Sequence, residues 1–257
     1  MSQEAFVLRD KAALVLGAST PLGRAVAVAL AEAGATVVGA TTLPSQHEEE
    51  AVHACVAETH RLGSQGFAQR IDTTSEEDVN ALVRRVVSDL QRLDVLVNAH
   101  DFPFAKPLPE VNPAEWRRVL DVNLTSVYLA CRAASGPMLA QGKGRIINVV
   151  SLLGERGMTN GGAYCAAQAG VLNLTRALSL EWARAGITVN AIGAGWTEGM
   201  CLIADDALRQ QLIRYLPHRR LAQPEEISGA AVYLASDAAG FVTGQVMWID
   251  GGVRSRL

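Results

Sequence analysis

Short apolar runs alternate with longer amphipathic segments along this chain, and no other feature restricts its fold so strongly. The runs are AALVL (12–16), TVVGAT (36–41), GFAQRI (66–71), DVLVNA (94–99), RIINVV (145–150), ITVNAI (187–192) and QVMWID (245–250). Several are apolar nearly throughout, the pattern of strands covered on both faces. Between them, GRAVAVALAEAG (23–34), EEDVNALVRRVVSDL (76–90) and YCAAQAGVLNLTRALSLEWARAG (164–186) carry helical periodicity. Gly34 and Gly186 stand where a helix ends in a glycine. Strand–helix alternation requires a parallel sheet with right-handed crossovers. The expected fold is therefore α/β: a Rossmann-type doubly wound parallel sheet of about seven strands, helices on both faces, one domain over residues 1–257.

Composition narrows the function classes. With 49% hydrophobic and 19% charged residues, 257 residues supply a substantial core. A net charge of −3 with no basic block gives no electrostatic footing for nucleic acid or an anionic membrane. No apolar run is long enough to span a bilayer, and the start MSQEAFVLRDK lacks the apolar stretch of a signal peptide. Cys55, Cys131, Cys165 and Cys201 form no metal-binding spacing, so no metal is expected and a reduced, cytoplasmic protein is.

The first strand runs into Gly17-Ala18-Ser19-Thr20-Pro21-Leu22-Gly23, which opens a helix. Such a turn lets the backbone approach a pyrophosphate at the positive helix end. Over essentially its whole length the chain resembles the short-chain dehydrogenase/reductase family, in particular its 3-oxoacyl-[acyl-carrier-protein] reductases. That family has TGxxxGxG at this turn; here Leu16 and Pro21 replace the threonine and the middle glycine. Proline suits the first helical position but removes one N–H near the phosphates.

The resemblance implies a nicotinamide dinucleotide held by Gly17, Ser19, Leu22, Gly23, Thr42, Asp72, Thr73, Asn98, Tyr164, Gln168 and Thr197. Asp72-Thr73 matches the family's acidic residue that contacts adenine. Asn98-Ala99-His100-Asp101 stands for NNAG, with only the first asparagine kept, mainly to steady the sheet. The second strand ends in Thr41-Thr42, with no acid for a ribose 2′-hydroxyl and no base for a 2′-phosphate. NADP and NAD both remain open, with a slight lean to NADP. Ala194-Gly195-Trp196-Thr197 lacks the usual proline, and Thr197 is either the displaced carboxamide-binding threonine or a plain loop residue.

The same resemblance implies a catalytic set of Asn123, Ser151, Tyr164 and Gln168. Ser151 would polarise a carbonyl, Tyr164 would exchange its proton, and Asn123 would support a relay water. The family motif YxxxK reads Tyr164-Cys165-Ala166-Ala167-Gln168 here, with glutamine one helical turn from the tyrosine. A cation about 5 Å from a phenolate is worth roughly 3 kcal/mol at an effective dielectric of about 20, or about 2 pKa units. Without it, Tyr164 should stay near a tyrosine's ordinary value of about 10.

Two functions follow. One is an NAD(P)-dependent oxidoreductase reducing a ketone or 3-oxoacyl group, taking a small-molecule carbonyl or acyl-thioester substrate. The alternative is a catalytically impaired member serving as the partner subunit of a hetero-oligomer with a paralogue, suggested by Pro21, Asp101, Gln168 and Ala194 together. Relatives commonly form homotetramers through the helix containing Tyr164 and the helix around Trp116–Ala134, so a homotetramer is expected. Residues 201–224 resemble the family's substrate lid, where Arg214, His218, Arg219 and Arg220 meet either an acyl carrier or only solvent.

Overall fold

The computed structural model describes residues 3–200 and 206–255. Seven strands form one sheet: β1 (Ala12–Leu16), β2 (Thr36–Ala40), β3 (Ala68–Gln69), β4 (Val95–Asn98), β5 (Gly144–Ser151), β6 (Ile187–Ala194) and β7 (Val246–Ile249). All pairings are parallel, in the order β3-β2-β1-β4-β5-β6-β7. Chain order reverses between β1 and β4, which opens a crevice at their carboxyl ends. The expected doubly wound sheet is present.

Alternation along each strand divides the core. Ala13, Val15 and Ile147 face α1 (Pro21–Glu32) and α8 (Glu225–Ala235), meeting Val26, Leu30, Ile227 and Leu234. Leu14, Leu16 and Ile146 face α3 (Glu76–Leu90), α5 (Ser126–Gln141) and α6 (Gly162–Trp182). Neighbouring residues of one strand thus serve opposite layers, which is why both faces must be apolar.

Helix starts are fixed by hydroxyl caps. Thr20, Ser45 and Ser75 accept from the backbone N–H groups of Gly23, Glu48 and Asp78, opening α1, α2 (Gln46–Arg61) and α3. The cap at Thr20 and Pro21 starts α1 two residues before the sequence pattern suggests. The helix expected around Trp116–Ala134 is divided into α4 (Pro113–Leu120), a π-helical turn Asp121–Thr125, and α5. The strand expected over 66–71 shortens to two residues because Thr41 takes over the ladder. Its hydroxyl donates to Ile71 O (2.7 Å) and accepts from Ile71 N (2.9 Å).

Buried polar groups lock the middle strands. Asn98 and Asn148 lie opposite each other on β4 and β5, and Asn98 Nδ2 donates to Asn148 Oδ1 at 2.8 Å. Asn148 Nδ2 then donates to Thr175 Oγ1 of α6 at 2.9 Å, tying that helix to the sheet. No described helix is long and apolar enough to cross a membrane. Asn148→Ala removes the acceptor of a buried amide and should lower unfolding free energy by about 1–3 kcal/mol. Urea unfolding with an unchanged slope is the measurement; a loss under about 0.5 kcal/mol would remove this tie from the account.

Candidate active site

The turn after β1 is built for close approach. Gly17 adopts φ +78°, and a Cβ there would lie 2.5 Å from the His100 backbone; one on Gly23 would lie 2.1 Å from Gly17 O. The Thr20 hydroxyl donates to Gly17 O (2.9 Å) while capping Gly23 N (3.0 Å). Pro21 occupies the first helical position, and among the described residues nothing accepts from the Leu22 N–H. The positive end of α1 therefore faces the crevice with a donor free.

Beyond β2 the structure supplies an acid that the strand ending lacks. Glu48 Oε2 accepts from Ser19 Oγ (2.9 Å), Thr42 N (2.6 Å) and Leu43 N (3.3 Å). Its position three residues after Ser45 reads in sequence as a capping-box glutamate, which would reach back to Ser45 N. Ser45 N instead donates to Leu43 O, and the carboxylate reaches past it to the end of β2. The buried Thr42 hydroxyl has no partner among the described residues. Thr73 Oγ1 donates to Thr42 O (2.9 Å), and Asp72 Oδ1 accepts from Thr74 N and Oγ1 (2.9 and 2.6 Å), so both brace this corner.

Ser151, at the end of β5, accepts from Leu153 N through its hydroxyl (3.2 Å), which leaves its own proton available. Tyr164, on the first turn of α6, is only 1% exposed and donates its phenol proton to Asp101 Oδ1 at 2.7 Å. Gln168, one turn on, is buried, and its Oε1 accepts from Ser151 N at 2.9 Å. It steadies the serine through the backbone. Asn123, in the π-helical turn, donates to Phe102 O (2.8 Å) and Val119 O (2.9 Å) and accepts from Phe102 N (2.9 Å). This asparagine thus clamps the loop that carries Asp101.

Burial sets the electrostatics. It pushes the Asp101 carboxyl up to about 6, against the pull of hydrogen bonds from Tyr164 and the Phe102 N–H. Burial, then the Asp101 charge, lifts Tyr164 well above the usual phenol value, while the Ser151 hydroxyl pulls slightly the other way. The expectation of a near-ordinary Tyr164 is corrected on this point: desolvation and a neighbouring carboxylate both disfavour the phenolate. Burial also lowers His100 to about 4, so its ring is neutral. Its Nε2 meets Ser126 Oγ at 2.6 Å. The Ser126 proton goes to Val122 O, so Nε2 carries the imidazole proton.

Several of these groups line one cavity of about 100 Å³ at the carboxyl ends of the strands. Thr20, Leu22, Asp101, Ser151, Tyr164 and Gln168 all reach it, each from the carboxyl end of a strand or the helix that follows. Thr197 is buried on the same wall, with Ala194 below it, and Asn98 lies deeper, within the sheet. Of the expected lid, residues 201–205 lie outside the described residues. The remainder includes α7 (Asp206–Tyr215), anchored by Arg209 on Glu198 at 2.5–2.6 Å. Arg220 is held by Glu226 and Arg219 by Arg214 O, so these two guanidiniums are engaged within the chain. Asp101 and Glu48 are the site residues that sequence reasoning missed. Asp101 was visible only as a departure from NNAG.

A family model described as "Enoyl-(Acyl carrier protein) reductase" matches residues 17–254. The chain is 39% identical to cis-4-hydroxycyclohexanecarboxylate dehydrogenase of Sinomonas cyclohexanicum, over 97% of this chain and 98% of that one. It is 36% identical to a 3-oxoacyl-[acyl-carrier-protein] reductase of Synechocystis sp., over 96% and 98%. Among solved structures it superposes with TM-score 0.91 and 30% identity on a gluconate 5-dehydrogenase from Burkholderia cenocepacia in complex with NADP and tartrate, covering 99% of each chain. A short-chain type dehydrogenase/reductase from Mycobacterium marinum gives TM-score 0.91 at 30% identity, with complete coverage of both. Matched in sequence along nearly its full length and in the path of its backbone, this chain belongs to the short-chain dehydrogenase/reductase family.

Proposed function

We propose that this protein is an NAD(P)-dependent oxidoreductase that reduces a ketone or 3-oxoacyl group, with Tyr164 as proton donor and Ser151 polarising the carbonyl. The observation that carries this reading is the convergence of the Ser151 hydroxyl, the Tyr164 phenol and the open end of α1 on one cavity. The relatives named above act on a hydroxycyclohexane acid, a 3-oxoacyl group and gluconate. Interconversion of a secondary alcohol and a ketone is common to those reactions.

The residues fit a dinucleotide. Leu22 N–H and the α1 dipole suit a pyrophosphate, with Gly17 and Gly23 leaving room for it. Ser19, Thr42 and Glu48 suit the adenosine ribose, with Asp72 and Thr73 beside them. Tyr164, Gln168 and Thr197 suit the nicotinamide end, and Asn98 supports the strand beneath. When bound, a reduced nicotinamide supplies hydride. The chain's own part is to hold the carbonyl oxygen between Ser151 and Tyr164, exclude water and deliver a proton.

Glu48 leads us to infer that NAD(H) binds more tightly than NADP(H), although the neutral end of β2 by itself leans slightly to NADP. Its carboxylate can accept from ribose hydroxyls and repels a 2′-phosphate. A second reading is an impaired partner subunit of a hetero-oligomer. It is favoured by the Tyr164 proton being donated to Asp101 and by the Gln168 oxygen accepting from Ser151 N–H.

Residues 1–257 are read as one dinucleotide-binding domain with a substrate lid near 201–224, and the protein as cytoplasmic, consistent with free thiols at Cys55, Cys131 and Cys165. A homotetramer is supported by large apolar side chains of α5 and α6 exposed to solvent: Tyr128, Leu139 and Leu180, the last 81% exposed.

Calorimetry with NADH and NADPH should find both bound, NADH tighter by about tenfold or more, a difference of about 1.4 kcal/mol. Glu48→Gln should erase most of that preference; no binding of either at millimolar concentration would favour the partner-subunit reading. Tyr164→Phe should cut reduction of an acetoacetyl thioester by about 10²–10⁴-fold and lower dinucleotide affinity far less. An equal loss of affinity would assign the tyrosine to packing. Light scattering at micromolar concentration should report a tetramer, and a monomer would remove the helix-pair interface.

A further inference from the structure

We propose that Asp101 is the proton reservoir of Tyr164, giving up its proton through the phenol during carbonyl reduction and recovering it during alcohol oxidation. The proposal rests on the dehydrogenase reading above and assigns to this chain a carboxyl–phenol relay in place of a lysine. In this role Asp101 acts through Tyr164 and positions its proton.

Three observations carry it. The phenol O–H points at Asp101 Oδ1, 2.7 Å away, and the two groups line the same cavity. Gln168 stands where a cation would lie, is neutral, and spends its oxygen on Ser151 N. Asn123 holds Phe102 at both backbone atoms, which fixes the residue next to Asp101. The pair is therefore a built feature of the cavity wall.

The charged and titratable groups around it are few. From α6 come Tyr164 itself and Cys165, which bears on the tyrosine. On the same loop His100 is neutral and turned to Ser126. Across the cavity Glu198 is neutralised by Arg209. Among the described residues no lysine or arginine holds Asp101 ionised, and its carboxyl titrates near 6. In the ionised form the carboxylate keeps the phenol proton to itself. In the acid form the carboxyl O–H donates to Tyr164 Oη, and the phenol O–H is free to turn toward a substrate oxygen.

The step balances. The carbonyl carbon takes a hydride from the reduced nicotinamide dinucleotide, which is oxidised, and the C=O π pair moves to oxygen. That oxygen takes the phenol proton as the O–H bond of Tyr164 breaks. The phenol oxygen takes the carboxyl proton, leaving Asp101 as carboxylate, and water later restores it. Oxidation runs the same transfers backwards and needs the carboxylate at the start. Reduction should therefore fall by about tenfold per pH unit above about 6, and oxidation should rise through the same midpoint.

The experiment compares the full-length protein with Asp101→Asn and Tyr164→Phe. Infrared difference spectra between pH 5 and 8 should contain a buried carboxyl band titrating near 6, absent in Asp101→Asn and displaced in Tyr164→Phe. Ultraviolet difference titration should place the Tyr164 ionisation lower in Asp101→Asn than in the wild type. Rates with an acetoacetyl thioester and with cis-4-hydroxycyclohexanecarboxylate should follow opposite pH limbs in the wild type, and both limbs should flatten in Asp101→Asn. The absence of a titrating carboxyl in the wild type, or a pH profile unchanged in Asp101→Asn, would overturn the proposal. Turnover of neither probe with either cofactor, in a protein whose carboxyl band behaves as described, overturns the dehydrogenase reading and leaves the shared proton established.

Discussion

A buried phenol donating its proton to a buried carboxyl, with no cation beside them among the described residues, is the interaction on which the proposed chemistry of this site turns. Burial alone raises both groups, because each is charged only when deprotonated. With the two groups 2.7 Å apart, ionising one makes ionising the other harder still. The phenolate that a neighbouring lysine would stabilise is therefore inaccessible, and the carboxyl becomes the group that changes state near neutral pH. The replacement of a lysine at 168 and the arrival of an acid at 101 are coupled in this sense. An aspartate beside a lysine would stay ionised and hold the tyrosine proton permanently.

The rest of the cavity keeps that pair in place. The loop bearing Asp101 is pinned by Asn123 from the π-helical turn, and His100 packs its backbone against the glycine that opens the phosphate turn. Gly17 cannot carry a side chain because His100 is there, so the two halves of the crevice are fixed by one contact. Below them Asn98, Asn148 and Thr175 join β4, β5 and α6, setting the height of Tyr164 relative to Ser151. Loss of any of these ties would blur geometry in which a displacement near 1 Å matters.

The proposed specificity toward the adenosine end rests on a different kind of arrangement. Glu48 belongs to α2, not to the strand whose end it guards, and its carboxylate gathers three donors from two separate segments. In the proposed reading, a side chain reaching the ribose corner from a helix would perform the discrimination that an acid on the strand itself otherwise performs.

The sequence by itself determined the sheet, its parallel sense, and several helix positions, because period-2 and period-3.6 patterns are local and strongly constrained by burial. The glycine turn between a strand and a helix also marked Gly17 and Gly23, and the resemblance to a known family pointed to Ser151 and Tyr164. Only the tertiary structure decided what Asp101, Gln168 and Glu48 touch. Asp101 and Tyr164 are 63 positions apart, and Ser19 and Glu48 are 29 apart. No periodicity reports such contacts. The shortening of the edge strand β3 and the π-helical turn were hidden for the same reason: a threonine side chain and an asparagine clamp, both non-local, overrode the local pattern. Hydrophobic patterning fixes which face of an element is buried, whereas the pairing of polar side chains depends on distances that exist only once the elements have packed.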